Sequence, residues 1–219
     1  MLQHRINDVD GLTVIELNAT PLDGPEGVVK ALMDRTLAAV ALLALSPLLV
    51  LIAALVRLDS PGPALFKQAR HGGGGRIIRV FKFRTMHTAR NADTRQASRN
   101  DPRVTRIGRF LRRSSLDELP QLFNVLQGDM SLVGPRPHPL ELNDQYRKRL
   151  DTYMQRHRVK PGLTGWAQIN GCRGATETLD KMQKRLEYDL YYIENWSIWL
   201  DIKILAKTAL LGWSGRNAY

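Results

Sequence analysis

Between Arg35 and Arg57 the chain carries no charged residue, and Thr36 to Leu58 reads TLAAVALLALSPLLVLIAALVRL. At about 1.5 Å per residue, a helix of that length covers the roughly 30 Å hydrocarbon depth of a bilayer. Ser46-Pro47 falls at its midpoint. A proline there removes a helix hydrogen bond and clashes with the preceding turn, which predicts a kink or break. Each half is then about nine residues, roughly 14 Å, half the hydrocarbon depth. Lys30 and Arg35 precede the segment, and Arg57, Lys67, Arg70, Arg76, Arg79, Lys82 and Arg84 follow it. Positive residues favour the cytoplasmic side, so basic flanks at both ends argue for a hairpin that enters and leaves by one face. A proline-kinked spanning helix is the competing reading, and these residues alone do not separate the two.

The remainder is globular in composition. A chain of 219 residues with 43% apolar content suits one domain, or one domain plus an appendage, with ample core. Lys plus Arg of 32 against Asp plus Glu of 21 leaves a net charge of +11, which points to an anionic partner. Nucleic acid, a phosphorylated substrate and an acidic lipid surface all qualify, but no nucleic-acid motif is present. The lone Cys172 excludes an intrachain disulfide and gets no role. His4, His71, His87, His138 and His157 are scattered without metal-site spacing.

Residues 1–27 hold a β-like run, Leu12 to Leu17, and the turn Pro21-Leu22-Asp23-Gly24-Pro25, and read as an appendage with no signal-peptide pattern. Residues 28–58 are the membrane segment, and residues 59–219 a cytosolic domain. Ala64 to Arg70 and Ile77 to Phe83 read as a β-hairpin with a glycine tip, placing Lys82 and Arg84 on one strand face. Thr88 to Pro102 reads as a mobile surface loop. Pro139 to Arg156 reads as a charged helix, Val159 to Ile169 as a turn and short extended run, and Thr178 to Tyr192 as a helix. The last helix, Ser197 to Leu211, is apolar, with Lys203 and Lys207 and with Trp196, Trp199 and Trp213 at its ends, which suits a headgroup interface. The fold class expected is α/β, mostly α with a small β-hairpin or sheet, joined to a re-entrant helix-break-helix.

The stretch densest in chemistry is Leu111 to Pro137, LRRSSLDELPQLFNVLQGDMSLVGPRP. Ser115 with Glu118 reads as a capping box and Pro120 as a first-turn proline, which puts Asp117 and Glu118 in a helix's first turn. Neighbours there point about 100° apart, so the two carboxylates suit two jobs, one attacking phosphorus and one holding a metal. Arg112, Arg113 and Arg136 would clamp phosphate oxygens. The bland reading is that the two acids only complement the helix dipole.

SLDELPQLFNVLQGDMSLVGPRP, with Lys82-Phe83-Arg84-Thr85-Met86 and Ser46-Pro47 upstream, resembles the bacterial sugar transferases, the monotopic phosphoglycosyl transferases, from about Val28 to the C-terminus. The resemblance implies transfer of a hexose 1-phosphate from a UDP-sugar to undecaprenyl phosphate, with release of UMP, as the first membrane step of exopolysaccharide or capsule synthesis. It implies that Asp117 attacks the β-phosphorus and becomes a phosphosugar aspartate. Asp117 and Glu118 would hold Mg²⁺, while Lys82, Arg84, Arg112 and Arg136, with Asp189 in support, would line the phosphate site. A structural Asp189 paired with an arginine is an equal reading. Residues 1–27 resemble the end of an upstream module of larger members. The implied place is the cytosolic face of the bacterial inner membrane, with membrane lipids as partners and a homo-oligomer as a candidate assembly. The blocks Arg173 to Thr178 and Glu187 to Tyr192 favour glucose, with galactose the alternative. A non-catalytic membrane scaffold is the alternative of a different class.

Overall fold

The computed structural model describes residues 4–9, 12–17, 20–87, 101–174 and 178–212. The first strands, β1 (His4–Val9) and β2 (Leu12–Leu17), form an antiparallel hairpin. Thr20 then caps a 3₁₀ turn, with the Asp23 side chain accepting back from the Thr20 amide at 2.6 Å. Helix α1 follows as one element of 35 residues, Pro25–Asp59. Next come the antiparallel pair β3 (Leu65–His71) and β4 (Ile77–Phe83), then α2 (Arg106–Ser114), α3 (Gln121–Gln127) and β5 (Ser131–Val133). The chain continues through α4 (Leu140–Tyr146), β6 (Gly162–Thr164), α5 (Trp166–Ile169), α6 (Leu179–Glu194) and α7 (Ile198–Gly212). β5 and β6 pair in parallel, so among the described residues the strands make three two-stranded sheets in a mostly helical chain.

Of the kink or break expected at Ser46-Pro47, no break forms: α1 is helical through both residues. Pro47 has no amide for the Leu43 carbonyl, but the Ser46 hydroxyl donates to that carbonyl at 2.8 Å. A serine beside a proline thus satisfies the acceptor that the proline strands, which is how apolar helices tolerate the residue. The helix is long and apolar enough to cross a membrane by length and composition.

One side of α1 is packed against the rest of the chain along its whole length. Ala38, Ala41, Leu42 and Leu45 join a core with Val125, Met130, Val133, Tyr192 and Ile204. Beyond the proline, Leu48, Leu49, Ile52, Ala53 and Val56 join a second core with Phe83, Leu111, Ile107 and Leu116. Ile52 and Val56 are 3% and 2% exposed, each burial contributing about 1.5–3 kcal/mol. The opposite side is bare: Val28, Leu32, Leu43, Val50 and Leu58 are exposed.

Both ends of α1 are also fastened by polar groups. Near its start, the buried Lys30 ammonium meets Asp201 of α7 at 2.6 Å and Asp34 at 3.4 Å. Tyr192 and Trp196 donate to the same Asp201 carboxylate, while Asp34 accepts from Ser131 and Leu132. At its end, Asp59 accepts the Ile107 amide of α2 at 3.0 Å. Two other expectations change here. Pro139 to Arg156 is not one helix; α4 ends at Tyr146 and a 3₁₀ segment, Tyr153–Arg158, follows because Tyr153 and Arg156 turn inward and are buried. Residues 88–100 of the loop expected from Thr88 to Pro102, Trp213, and residues 175–177 of the glucose-like block lie outside the described residues.

Candidate active site

The Ser115–Glu118 capping box does not form. Ser115 ends α2 with φ 57°, in the left-handed region that a residue with a Cβ rarely occupies, and its side chain caps nothing. That reversal turns the chain into a 3₁₀ segment, Leu116–Glu118, before α3 begins behind Pro120. Asp117 and Glu118 therefore sit on a tight connection between two helices, not in an α-helical first turn. Backbone in a sparsely populated region, held by its surroundings, is common at reactive sites.

The two acids have opposite environments. Glu118 is clamped: Arg136 donates to both its oxygens at 2.9 and 2.5 Å, and Lys82 reaches it at 2.8 Å. Burial alone would push its carboxyl up, but the Arg136 and Lys82 charges hold it well below the usual carboxylate range. Asp117 accepts no hydrogen bond and forms no ion pair among the described residues. Burial, then the Glu118 charge, push its carboxyl up to about 6, against the pull of Lys82, Arg136 and Arg112. Roughly nine in ten Asp117 carboxylates are still ionised at pH 7.

Arg112 approaches from α2, its Nε donating to Thr85 Oγ1 at 2.9 Å. α2 lies so close to Thr85 that a Cβ on Gly108 would stand 2.1 Å from the Thr85 carbonyl oxygen. Arg173 reaches in from the other side and donates to Ser115 Oγ at 2.8 Å. Of the residues expected at the site, the fold thus brings together Lys82, Arg112, Arg136, Asp117 and Glu118.

Two expected phosphate contacts are placed elsewhere. Arg84 is buried, and its guanidinium donates to the carbonyls of Val56 (3.2 Å), Ser60 (2.7 Å), Gly62 (3.4 Å) and Pro61. Val56, in the last turn of α1, also accepts the Ser60 amide, and Ser60, Pro61 and Gly62 follow the helix, so Arg84 ties together the carbonyls where α1 ends. Asp189 is fully inside α6 and pairs with Arg156 at 2.7 Å, so the arginine-paired reading holds. Arg156 in turn donates to the Arg136 carbonyl at 2.7 Å, so Asp189 acts by steadying the Gly134-Pro135-Arg136-Pro137 turn.

The network beneath that turn escaped sequence reasoning. Tyr153 donates to Asn143, the His138 ring contacts Tyr153, Arg156 and Arg185, and Arg185 donates to the Cys172 and Gly174 carbonyls at 2.6 Å each. Burial and the surrounding arginines keep His138 neutral, its pKa driven well below the ordinary histidine value. The available signal was an excess of Arg plus Lys (11) over Asp plus Glu (7) between 136 and 189; the pairing partners are far apart in sequence.

Asp117 and Glu118 fit a magnesium ion in donor type, since Mg²⁺ favours one or two carboxylates completed by water and substrate phosphate. The described residues contain no group of three or more His, Cys, Asp or Glu side chains placed to hold a metal, so any metal here would take its remaining ligands from outside the protein. The unpaired Asp117 beside ion-paired Glu118 is a place where added positive charge is favourable.

The bacterial sugar transferase family matches residues 25–214. This chain belongs to that family. It is 52% identical, over its full length, to the UDP-glucose:undecaprenyl-phosphate glucose-1-phosphate transferase of Escherichia coli K12, and it covers 47% of that protein. The chain thus spans about half the length of that relative. It is 49% identical to the protein of the same name from Caulobacter vibrioides, over 87% of this chain and 72% of that one. The UDP-N-acetylgalactosamine-undecaprenyl-phosphate N-acetylgalactosaminephosphotransferase of Aeromonas hydrophila is 44% identical over 82% of this chain and 42% of its own.

Proposed function

We propose that this bacterial sugar transferase moves glucose 1-phosphate from UDP-glucose to undecaprenyl phosphate, releasing UMP. The relatives named for that reaction support the substrates. The observation that carries the chemistry is the asymmetry of the acid pair, with Glu118 tied to two cations and Asp117 left without a partner. An Asp117 oxygen attacks the β-phosphorus; the bond from that phosphorus to the α–β bridging oxygen breaks, and UMP leaves with the oxygen. An oxygen of the lipid phosphate then attacks the same phosphorus, and the Asp117 carboxylate leaves unchanged. Lys82, Arg136 and Arg112 balance the charge on the phosphoryl oxygens, and the turn behind Arg136 holds it in place. Magnesium held by Asp117 or Glu118 would supply further neutralisation of the diphosphate.

We place the protein on the cytosolic face of the bacterial inner membrane, at the first membrane step of exopolysaccharide or capsule synthesis. Residues 28–58 are the membrane segment and 59–219 the catalytic domain. The two halves of α1 pack on the same domain, which favours a monotopic, one-sided embedding over a span that would carry one half away from it. Exposed Trp199, Ile202 and Leu210 on α7, and Phe110, Phe123 and Leu126, extend the apolar surface beyond α1.

Incubating the protein with UDP-glucose labelled in the β-phosphate, without lipid acceptor, should transfer label to Asp117 and release about one UMP per site. Asp117→Asn should abolish both. UMP release only when both substrates are present, with no label trapped by rapid quench, would overturn the covalent step. The N-acetylgalactosamine relative shows that names in this family vary in the sugar, so a panel of UDP-sugars is part of the test. Faster turnover of UDP-galactose than UDP-glucose would replace the donor.

A further inference from the structure

A cavity of about 190 Å³ lies between the first turns of α1 and the segments 125–133 and 158–160. At roughly 30 Å³ per water it has room for about six. None of Lys82, Arg112, Asp117, Glu118 and Arg136 lines it. Its walls are mixed: Leu22, Val125, Met130 and Val133 are apolar, while Arg35, Arg158 and Lys160 bring three cations to one space.

Charge in this cavity is not balanced. Lys30 and Asp34 also line it, but they pair with each other, with Lys30 bound to Asp201 as well, and Asp23 is taken up by the Thr20 amide. Arg35, Arg158 and Lys160 have no salt-bridge partner among the described residues, and Arg158 Nη2 is buried with no hydrogen-bond acceptor. Arg35 lies over Gly128, where a Cβ would stand 2.6 Å from Arg35 Nη2; Gly128 has φ 83° and ends α3. Burial first, then the Arg35 charge, lower the Lys160 pKa, and Arg76 adds to this against the pull of Asp34 and Asp129. The buried Arg158 Nη2 without an acceptor and the half-buried Lys160 beside Arg35 are unfavourable placements that a bound anion relieves.

The position selects the anion. The α1 residues on the cavity side, Gly27, Lys30, Ala31, Asp34 and Arg35, are back to back with Val28, Val29 and Leu32, which are 71%, 49% and 67% exposed. On the membrane reading of α1, on which this rests, the cavity mouth is level with the headgroup layer. There basic residues meet lipid phosphate while apolar walls receive the glycerol and first methylenes. We propose that this cavity is a binding site for the phosphodiester headgroup of an anionic phospholipid, separate from the site of phosphoryl transfer.

The test uses the full chain, purified in detergent and in nanodiscs of phosphatidylglycerol or of phosphatidylcholine. Native mass spectrometry should retain one phosphatidylglycerol per chain. Arg158→Gln/Lys160→Gln should weaken that retention at least tenfold, while Lys160→Arg keeps it and reports that the fold tolerates change there. Inorganic phosphate at the same concentration should not displace the lipid. Equal retention of phosphatidylcholine, or equal retention by wild type and the double variant, overturns the site. Full displacement by inorganic phosphate would overturn the lipid as its source, and displacement by equimolar undecaprenyl phosphate would make it an acceptor site instead. Failure of the membrane reading itself is distinguishable, since the chain would then stay soluble without detergent and remain outside nanodiscs of either lipid.

Discussion

Asp117 is held in a state that costs stability, and removing its charge should reveal how much. Its carboxyl ionises at about 6 in the fold against an ordinary 3.8, a difference of roughly two units. A group whose folded pKa is raised prefers to be protonated in the fold. At pH 7 the unfolded chain ionises it freely, and the folded chain carries a penalty of about 1.4 kcal/mol per unit, ~3 kcal/mol at most. Asp117 keeps some contact with water, which trims this to ~1–3 kcal/mol. Asp117→Asn, neutral at every pH, should therefore be more stable than wild type at pH 7. At about 2–4 °C per kcal/mol for a chain of this size, Tm should rise by roughly 2–12 °C. The gain should fall to about half near pH 5 and about a fifth near pH 4, and vanish by about pH 3, where the aspartate is protonated in both states. Thermal unfolding of both proteins in one detergent, at pH 7, 5 and 4, measures this. An Asn variant that is less stable at pH 7, or a gain that does not change with pH, would refute the burial argument for Asp117.

The same shift predicts that UMP release falls on acidification with an apparent pKa near 6. Glu118→Gln should move that limb down by on the order of one unit while lowering the maximal rate; an unmoved limb would show that Glu118 does not set the Asp117 charge. Asp189→Leu leaves Arg156 buried without its anion and should cost ~3 kcal/mol or more, read as a Tm drop, and a Tm within error of wild type would contradict the network. Ser46→Ala should cost about 1 kcal/mol by stranding the Leu43 carbonyl, and nothing once Pro47→Ala has restored an amide; an unchanged cost in the double variant would show that the serine acts otherwise. Cysteines at Glu26 and Asp151, in a Cys172→Ser background, should both resist an impermeant thiol reagent in intact spheroplasts. Labelling at position 26 alone would mean that α1 spans the membrane.

Much of this protein was legible in its residue order because the signals are local. An uncharged apolar run of this length forms a helix long enough to cross a membrane, alternation about a glycine run makes the β3–β4 hairpin, and the acid pair with Gly-Pro-Arg-Pro marks the stretch that carries the candidate site. What a residue pattern cannot carry is the identity of partners distant along the chain. Proline chemistry predicted a break at position 47, but the neighbouring serine hydroxyl repaired it. The basic face of β4 predicted two phosphate ligands, yet Lys82 went to Glu118 and Arg84 to the end of α1, because β4 ends at Phe83 and the strand's alternation no longer sets the direction of Arg84. Asp117 and Glu118 are neighbours of one charge type and were equivalent as letters. Only the tertiary structure, by bringing Lys82 and Arg136 to one of them, decided which is clamped and which is left half-buried without an ion pair among the described residues.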